Sequence, residues 1–288
     1  MNLRQLRAEA RLLQRKIPGL LLLFFIPIMI LLLSNFLGDS QEDLMEYFAS
    51  IDLKQAFYLE VSRGLFSQVI NFIISLFIIS ASYALIDLLR RQTEQLKFSD
   101  SLRAFSNQIF TPLVLTLFCK RLILFCWSIL LWVGSVISIF TSYRILYIYN
   151  QAPNNQLSDQ AIQQISNYSP SLFLGLLLVT LGLIISLPQR YAYSQAEFIL
   201  YDQLKEGTYQ GPLQVLRQSR LMMKGYKDKR FMLDVSFIGW QVLMFLTLGL
   251  AGIYVIPYIH TSSVLFYEQL KALKKYKRLC LSVLTPKS

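Results

Sequence analysis

His260 is the only histidine of the chain and falls near the middle of a long apolar stretch. An ionisable side chain at such depth in a bilayer marks a functional position by default, a proton relay for instance. The alternative is a neutral imidazole hydrogen-bonded to a Ser or Thr of another helix. With no intramembrane acid close by in sequence, the second role is the expected one. Asp234 stands four residues after Arg230 at the start of another apolar run, where the helix dipole and the nearby cation favour a carboxylate. A structural role is expected for it. Gln241 and Trp240 sit in the middle of that run, too deep for an interfacial belt, and Trp240 is expected to pack inside a bundle.

Ser67, Asn71, Ser75 and Ser82 share one helical stripe. Within lipid such a stripe turns inward for helix contact; as a sharper alternative it lines a substrate path. Asp87, one turn from Arg90 and Arg91, is expected to form a local ion pair. Pro257 frees the carbonyl of Ile253 and either kinks its helix or acts as a hinge. None of these positions forms a catalytic motif. The chain has no Walker A motif, G-x-G-x-x-G, H-E-x-x-H or G-x-S-x-G, and no nucleophile can be paired with a base. Cys119, Cys126 and Cys280 have the spacing of neither a disulfide framework nor a zinc site. No catalytic residue, cofactor or metal is expected.

The elements that must position these residues are membrane helices. Hydrophobic residues make up 54% of the 288 positions and charged residues 16%, with a mean hydropathy of +0.44. Soluble domains carry about 25% charged residues. The apolar blocks are each close to the roughly 20 residues that a spanning helix needs, and no soluble domain large enough to bury its own core is expected. The expected fold is all-α: a polytopic bundle of six transmembrane helices at residues 17–37, 64–89, 122–143, 171–187, 231–248 and 250–270. An amphipathic helix at 1–16 precedes it and a basic tail at 271–288 follows.

Charge sets the topology. The formal net charge is +11, and the expected spans put 25 of the 28 Lys and Arg residues on one side. That is the positive-inside pattern, and no basic stripe with interleaved aromatics calls for nucleic acid. Both termini are therefore expected in the cytoplasm of a bacterial cell, with the loops at 38–63 and 144–170 outside its cytoplasmic membrane. Lys120 and Arg121 mark the inner edge of the third span. Pro112 is expected to end a short helix begun at Ser99 or Asp100, Pro188 to stop the fourth span, and Gly249 and Gly252 to turn the last hairpin. Along residues 2–16, Leu3, Leu6, Ala10 and Leu13 form an apolar stripe beside Arg4, Arg7, Arg11 and Arg15. A second amphipathic helix starts at Pro212 and ends with Gly225 at C′. Arg4, Arg7, Arg11, Lys224 and Lys227 are expected to meet anionic lipid head groups, with a membrane protein as a possible further partner.

The motifs S-R-L-M-M-K-G-Y-K at 219–227, L-D-V-S-F-I-G-W at 233–240, T-L-G-L at 247–250, P-Y at 257–258 and F-Y at 266–267 form a dense signature. Together with Y-A-Y-S-Q-A-E-F-I-L-Y-D at 191–202, this stretch resembles a family of bacterial integral membrane proteins, domain of unknown function nine-seven-five, found mainly in Gram-positive bacteria. Where that family has a Pro-Gly break, this chain has Ile185 and Ser186, with Pro188 later. The resemblance implies fold and location and carries no active site. The expected function is a non-enzymatic accessory or scaffold protein acting through its basic cytoplasmic helices. A transporter or lipid-handling bundle is the alternative, and an intramembrane enzyme the remaining one.

Overall fold

A computed structural model describes residues 1–17, 19–37, 53–93, 95–150 and 158–284. Every regular element among them is helical. In chain order they are α1 (Leu3–Lys16), α2 (Leu20–Leu23), α3 (Phe25–Leu37), α4 (Leu53–Leu89) and a 3₁₀ helix (Phe98–Phe105). Then follow α5 (Asn107–Trp127), α6 (Ile129–Asn150), α7 (Asp159–Ala192) and α8 (Ala196–Lys205). The chain closes with α9 (Pro212–Met222), α10 (Lys227–Val235), α11 (Ile238–Leu246) and α12 (Gly252–Leu284).

Four helices among the described residues are long and apolar enough to cross a membrane: Phe66–Leu89, Asn107–Trp127, Ile129–Asn150 and the run Asp159–Lys205. This is the composition of a membrane protein. The last run has 47 residues, about 70 Å at 1.5 Å per residue, so only part of it fits a hydrocarbon core of about 30 Å. Phe25–Ser34 is a shorter apolar helix. The stretch expected as a fifth span is broken at Ser236 and Phe237 into α10 and α11. The stretch expected as a sixth lies in α12, which carries buried Thr261, Ser262 and Ser263 and is less apolar than the four.

Several boundaries differ from the sequence expectation, each for a local reason. Pro112 does not end a helix. It sits six residues into α5, where its missing N–H forfeits only the bond to Gln108, and Thr116 Oγ1 donates to the Pro112 carbonyl at 2.7 Å. Pro188 likewise stays inside α7. Lys120 and Arg121 lie within α5 because each has a partner: Lys120 Nζ donates to Glu197 Oε1 at 2.6 Å, and Arg121 lies 4.9 Å over the ring of Phe72. The expected inward stripe of α4 is only half buried. Ser82 is covered, whereas Ser67 and Asn71 are exposed and bond each other, Asn71 Nδ2 to Ser67 Oγ at 3.3 Å. The acids Asp39 to Asp52 and the cations Lys277, Arg278 and Lys287 of the tail lie outside the residues whose side chains are described.

The protein also builds a packed helical layer that composition did not suggest. Its core runs through Ile79–Ile86 of α4, Leu113 and Leu117 of α5, most of α8, Val215 and Leu216 of α9, and Val264 and Tyr267 of α12. A second cluster joins Leu6 and Ala10 of α1 to Tyr258, Leu265, Phe266 and Leu270 of α12. Half of the apolar window of α4 is buried in this way, against 11% for α6 and for α7. Those two helices leave the layer as an antiparallel hairpin whose outer faces are apolar and exposed.

Small residues close that hairpin. A Cβ on Gly134 would meet the Val179 nitrogen at 2.6 Å, one on Gly175 would meet Ser138 Oγ at 2.4 Å, and one on Gly182 would meet the Leu131 nitrogen at 2.4 Å. The helix axes approach closely because these positions have no side chain. Gly182→Ala is expected to cost about 1–3 kcal/mol through overpacking. Gly239→Ala, with nothing within 4 Å, should be neutral or stabilising. Thermal unfolding of the two variants in detergent checks the contrast; equal midpoints would refute close packing at Gly182.

Candidate functional site

The densest chemistry lies where α4, α5, α8 and α12 meet. In α8 the residues Ala196, Phe198, Ile199, Leu200 and Tyr201 cover the helix nearly all round, so it is buried and carries its polar residues in with it. A buried carboxylate must be paired and hydrogen-bonded. Asp202 accepts from Arg90 Nη1 at 2.6 Å and from Tyr267 Oη at 2.6 Å, and also from Lys271 Nζ. Arg90 extends the array by donating from Nη2 to Glu268 Oε1 at 2.6 Å.

Asp87 forms a second centre. It accepts from Tyr201 Oη at 2.7 Å and pairs with Arg103 and Lys205. Its expected partners Arg90 and Arg91 are not used: Arg90 is taken by Asp202 and Glu268, and Asp87 faces the 3₁₀ helix and α8 instead. Arg103 is shared with Asp100 at 2.9 Å. Tyr83 stacks on Tyr201 with ring centroids 4.1 Å apart and donates to the Glu197 carbonyl at 3.0 Å, which ties in the Lys120–Glu197 pair.

Electrostatics favour the ionised forms of Asp202 and Arg90. Burial alone would raise the carboxyl of Asp202, but hydrogen bonds from Arg90, Lys271 and Tyr267 outweigh it and hold the group below its ordinary value of 3.8. Burial works against the charge of Arg90 as well, and its hydrogen bonds to Asp202 and Glu268 reverse the direction and raise it. Burial and the bond to Asp87 push the Tyr201 phenol up. Neither carboxylate centre is left as an acid or base with an open coordination direction. The array is a clamp.

The residues singled out in the sequence lie mostly elsewhere. Asp234 pairs with Arg230 at 3.2 Å, and Arg230 Nη1 donates to Ser263 Oγ at 3.0 Å. Arg230 also lies 5.7 Å over the Phe266 ring. His260 sits one turn before Ser263 on α12 and stacks on Phe24 with centroids 5.9 Å apart. The structure thus brings Asp234 and His260 to one neighbourhood around Arg230. It does not bring Asn71, Ser75 or Gln241 there: Asn71 and Gln241 are exposed, and Ser75 Oγ donates to its own helix at Phe72 O, 2.6 Å away. Pro257 is buried inside a continuous α12. Sequence reading missed Asp202, Glu268 and Lys271. The one signal for them was a carboxylate in α8, a segment too apolar all round for a solvent-exposed helix.

Outside the clamp, cations remain without carboxylates. Arg217, Arg220, Lys224 and Lys227 line a cavity of about 600 Å³ with Leu221 and Gly225, and none of the four makes an ion pair among the described residues. Gly225 follows the end of α9 with φ +82°, the left-handed conformation expected for a C′ glycine. Leu213 and Leu221 on the same helix are 66% and 61% exposed. On α1, Arg4 and Arg11 are exposed, but Leu6 and Ala10 are covered by α12, to which Gln14 Nε2 donates at Tyr254 O, 3.0 Å away. The apolar stripe of α1 is therefore covered by protein.

A family model described as "Protein of unknown function (DUF975)" matches residues 1–274. No curated protein and no solved structure matches the chain.

Asp202→Asn removes the charge and keeps the shape, and leaves Arg90 and Lys271 without their shared anion. It should lower stability by about 2–4 kcal/mol. Because the folded carboxyl is held below its unfolded value, its contribution is present above about pH 4 and is lost as pH falls through the lower folded value. Denaturant unfolding at pH 7 and at pH 3 checks this: the wild-type excess over Asp202→Asn should shrink at the lower pH, and an excess that grew would contradict the clamp.

Proposed function

The chain belongs to the DUF975 family of proteins of unknown function, and on that footing we propose that it is a non-enzymatic accessory or scaffold protein of a bacterial cytoplasmic membrane. It holds a basic helical layer against the anionic inner leaflet. The observation that carries this reading is the cavity of Arg217, Arg220, Lys224 and Lys227, a four-cation cluster with no acid partner described, beside exposed Leu213 and Leu221. The buried carboxylates Asp202, Asp87 and Glu197 are committed to internal pairs that use none of these four cations. Phosphate head groups supply the opposite charge, and the leucines suit the apolar zone beneath them.

In this reading residues 17–37, 64–89, 122–143 and 171–187 cross the bilayer, and residues 231–248 and 250–270 supply the fifth and sixth crossings. The turn at Leu248 and Gly249, both at positive φ, reverses the chain there. Phe245, Leu246, Leu248 and Leu250 around it are 81%, 71%, 74% and 63% exposed, an apolar tip that suits lipid better than water. An even number of crossings leaves both termini on the cytoplasmic side with the basic layer.

Two measurements test the reading. In a cysteine-free background, single cysteines at Ser158 and at Leu213 should label from opposite sides of the membrane, and one at Leu248 should label from the side of Ser158. Labelling of Ser158→Cys and Leu213→Cys from one side would sink the topology. In nanodiscs, replacing part of the phosphatidylcholine by phosphatidylglycerol should raise the unfolding midpoint. The variant with Gln at 217, 220, 224 and 227 should lose most of that rise, since each cation near an anionic surface is worth about 1 kcal/mol. An undiminished rise would place the lipid contact elsewhere.

A further inference from the structure

α1 packs on the α10–α12 hairpin, chiefly along α12. Its Leu6 and Ala10 are fully buried, in one cluster with Leu233 and Phe237 of the first leg and Leu265, Phe266 and Leu270 of the second. Towards the other end of α1, Gln14 Nε2 donates to Tyr254 O at 3.0 Å. Between these points Arg7 and Arg11 act electrostatically on Tyr258. The two helices therefore run antiparallel, with α1 beside residues 254–270. Its 14 residues extend about 21 Å at 1.5 Å per residue, most of the hydrocarbon depth of about 30 Å.

That seat conflicts with a crossing at residues 250–270. α1 carries Arg4, Arg7, Arg11, Arg15 and Lys16 against one acid, Glu9. None of these cations makes an ion pair among the described residues. Arg4, Arg11, Arg15 and Lys16 are exposed, so they point away from the hairpin. With α1 seated on a crossing hairpin, Arg7 and Arg11 would lie level with Tyr258, near the bilayer midplane, and the exposed Arg11 would face lipid. Unpaired arginines at that depth are strongly disfavoured. A seated α1 and a crossing hairpin exclude each other.

Both partners have an alternative to the seat. The stripe of Leu3, Leu6, Ala10 and Leu13, with the arginines beside it, makes an interfacial helix that suits an anionic leaflet. α1 ends at Lys16 and the next helix starts at Leu20, with Gly19 between them in the left-handed region at φ +87°. It is therefore no rigid extension of that helix. In the hairpin no residue of α11 is buried, and Leu248 at the tip is exposed, so α1 covers only part of its apolar surface.

We propose that α1 is a strap: seated, it holds the α10–α12 hairpin at the cytoplasmic surface, and its transfer to anionic lipid releases the hairpin to cross. The structure is the seated state. The inference rests on the six-crossing reading above and makes the last two crossings conditional. Anionic lipid shifts the balance because it meets the apolar stripe and the arginines of α1 together only in the released state.

Two readouts test this in the full chain, in a cysteine-free background and in liposomes of phosphatidylcholine with or without phosphatidylglycerol. One is labelling of Leu248→Cys from the side that labels Ser158→Cys. The other is the yield of a bis-maleimide cross-link between Gln14→Cys and Tyr254→Cys. Phosphatidylglycerol should raise the labelling and lower the cross-link by about fivefold or more, the factor that a single cation near an anionic surface supplies. Ala10→Lys puts a charge into the seat and should raise Leu248→Cys labelling by a similar factor in phosphatidylcholine alone. The proposal is overturned if phosphatidylglycerol moves neither readout or only one, if labelling is already complete in phosphatidylcholine, or if Ala10→Lys labels no more than the unsubstituted chain. Six crossings survive those results as long as Leu248→Cys is labelled from the side of Ser158. If it is never labelled from that side, in either lipid or with Ala10→Lys, the six-crossing reading fails and the strap fails with it.

Discussion

Asp202 fixes the register of the helices around it. A carboxylate with 8% side-chain exposure is stable only with several donors, and these come from α4 (Arg90) and α12 (Tyr267, Lys271). The ends of α4 and α8 and the middle of α12 are thereby held at one level. Asp87 does the same for α4, the 3₁₀ helix and α8, and Tyr201 joins the two centres because it directly precedes Asp202 and bonds Asp87. Charge pairing orients the layer, and burial of Tyr83, Leu85, Ile86 and Leu200 between the pairs supplies the apolar contact.

The membrane-compatible helices follow a different rule. The hairpin α6–α7 buries little and is held by backbone approach at Gly134, Gly175 and Gly182, with Ser135 and Thr180 bonded back to their own helices. Lipid is as apolar as leucine, so hydrophobic burial does not drive helices together there and close van der Waals packing does. One chain thus contains a layer organised by ion pairs and burial and a hairpin organised by the absence of side chains.

The sequence made the broad features legible because they depend on local pattern. Helical periodicity, the proline at the start of α9, the left-handed Gly225, the turn at Gly249 and the Arg230–Asp234 pair were all readable within a few residues. What was not readable depends on partners far along the chain. Lys120 and Arg121 looked like an edge because nothing near them in sequence reveals Glu197 or Phe72. Asp87 looked local for the same reason, its partner Lys205 lying 118 positions away. Pro112 looked like a stop because proline usually is one, and a single forfeited bond near a helix start was outweighed by packing of α5 on α8 and α9.

The junction of α5 and α6 has a mechanical consequence. Only Ser128 separates these helices, and its N–H still reaches the carbonyls of Leu124 and Phe125, so the two form a nearly continuous rod from Asn107 to Asn150. The rod is about 65 Å long at 1.5 Å per residue. Its first third is embedded in the charged layer through Lys120 and Leu113, while its far end carries the hairpin. That geometry is a lever with its fulcrum in the layer. From Lys120 to Asn150 the free arm is about 45 Å at 1.5 Å per residue, so a tilt of about 5° at the fulcrum would displace the far end by about 4 Å.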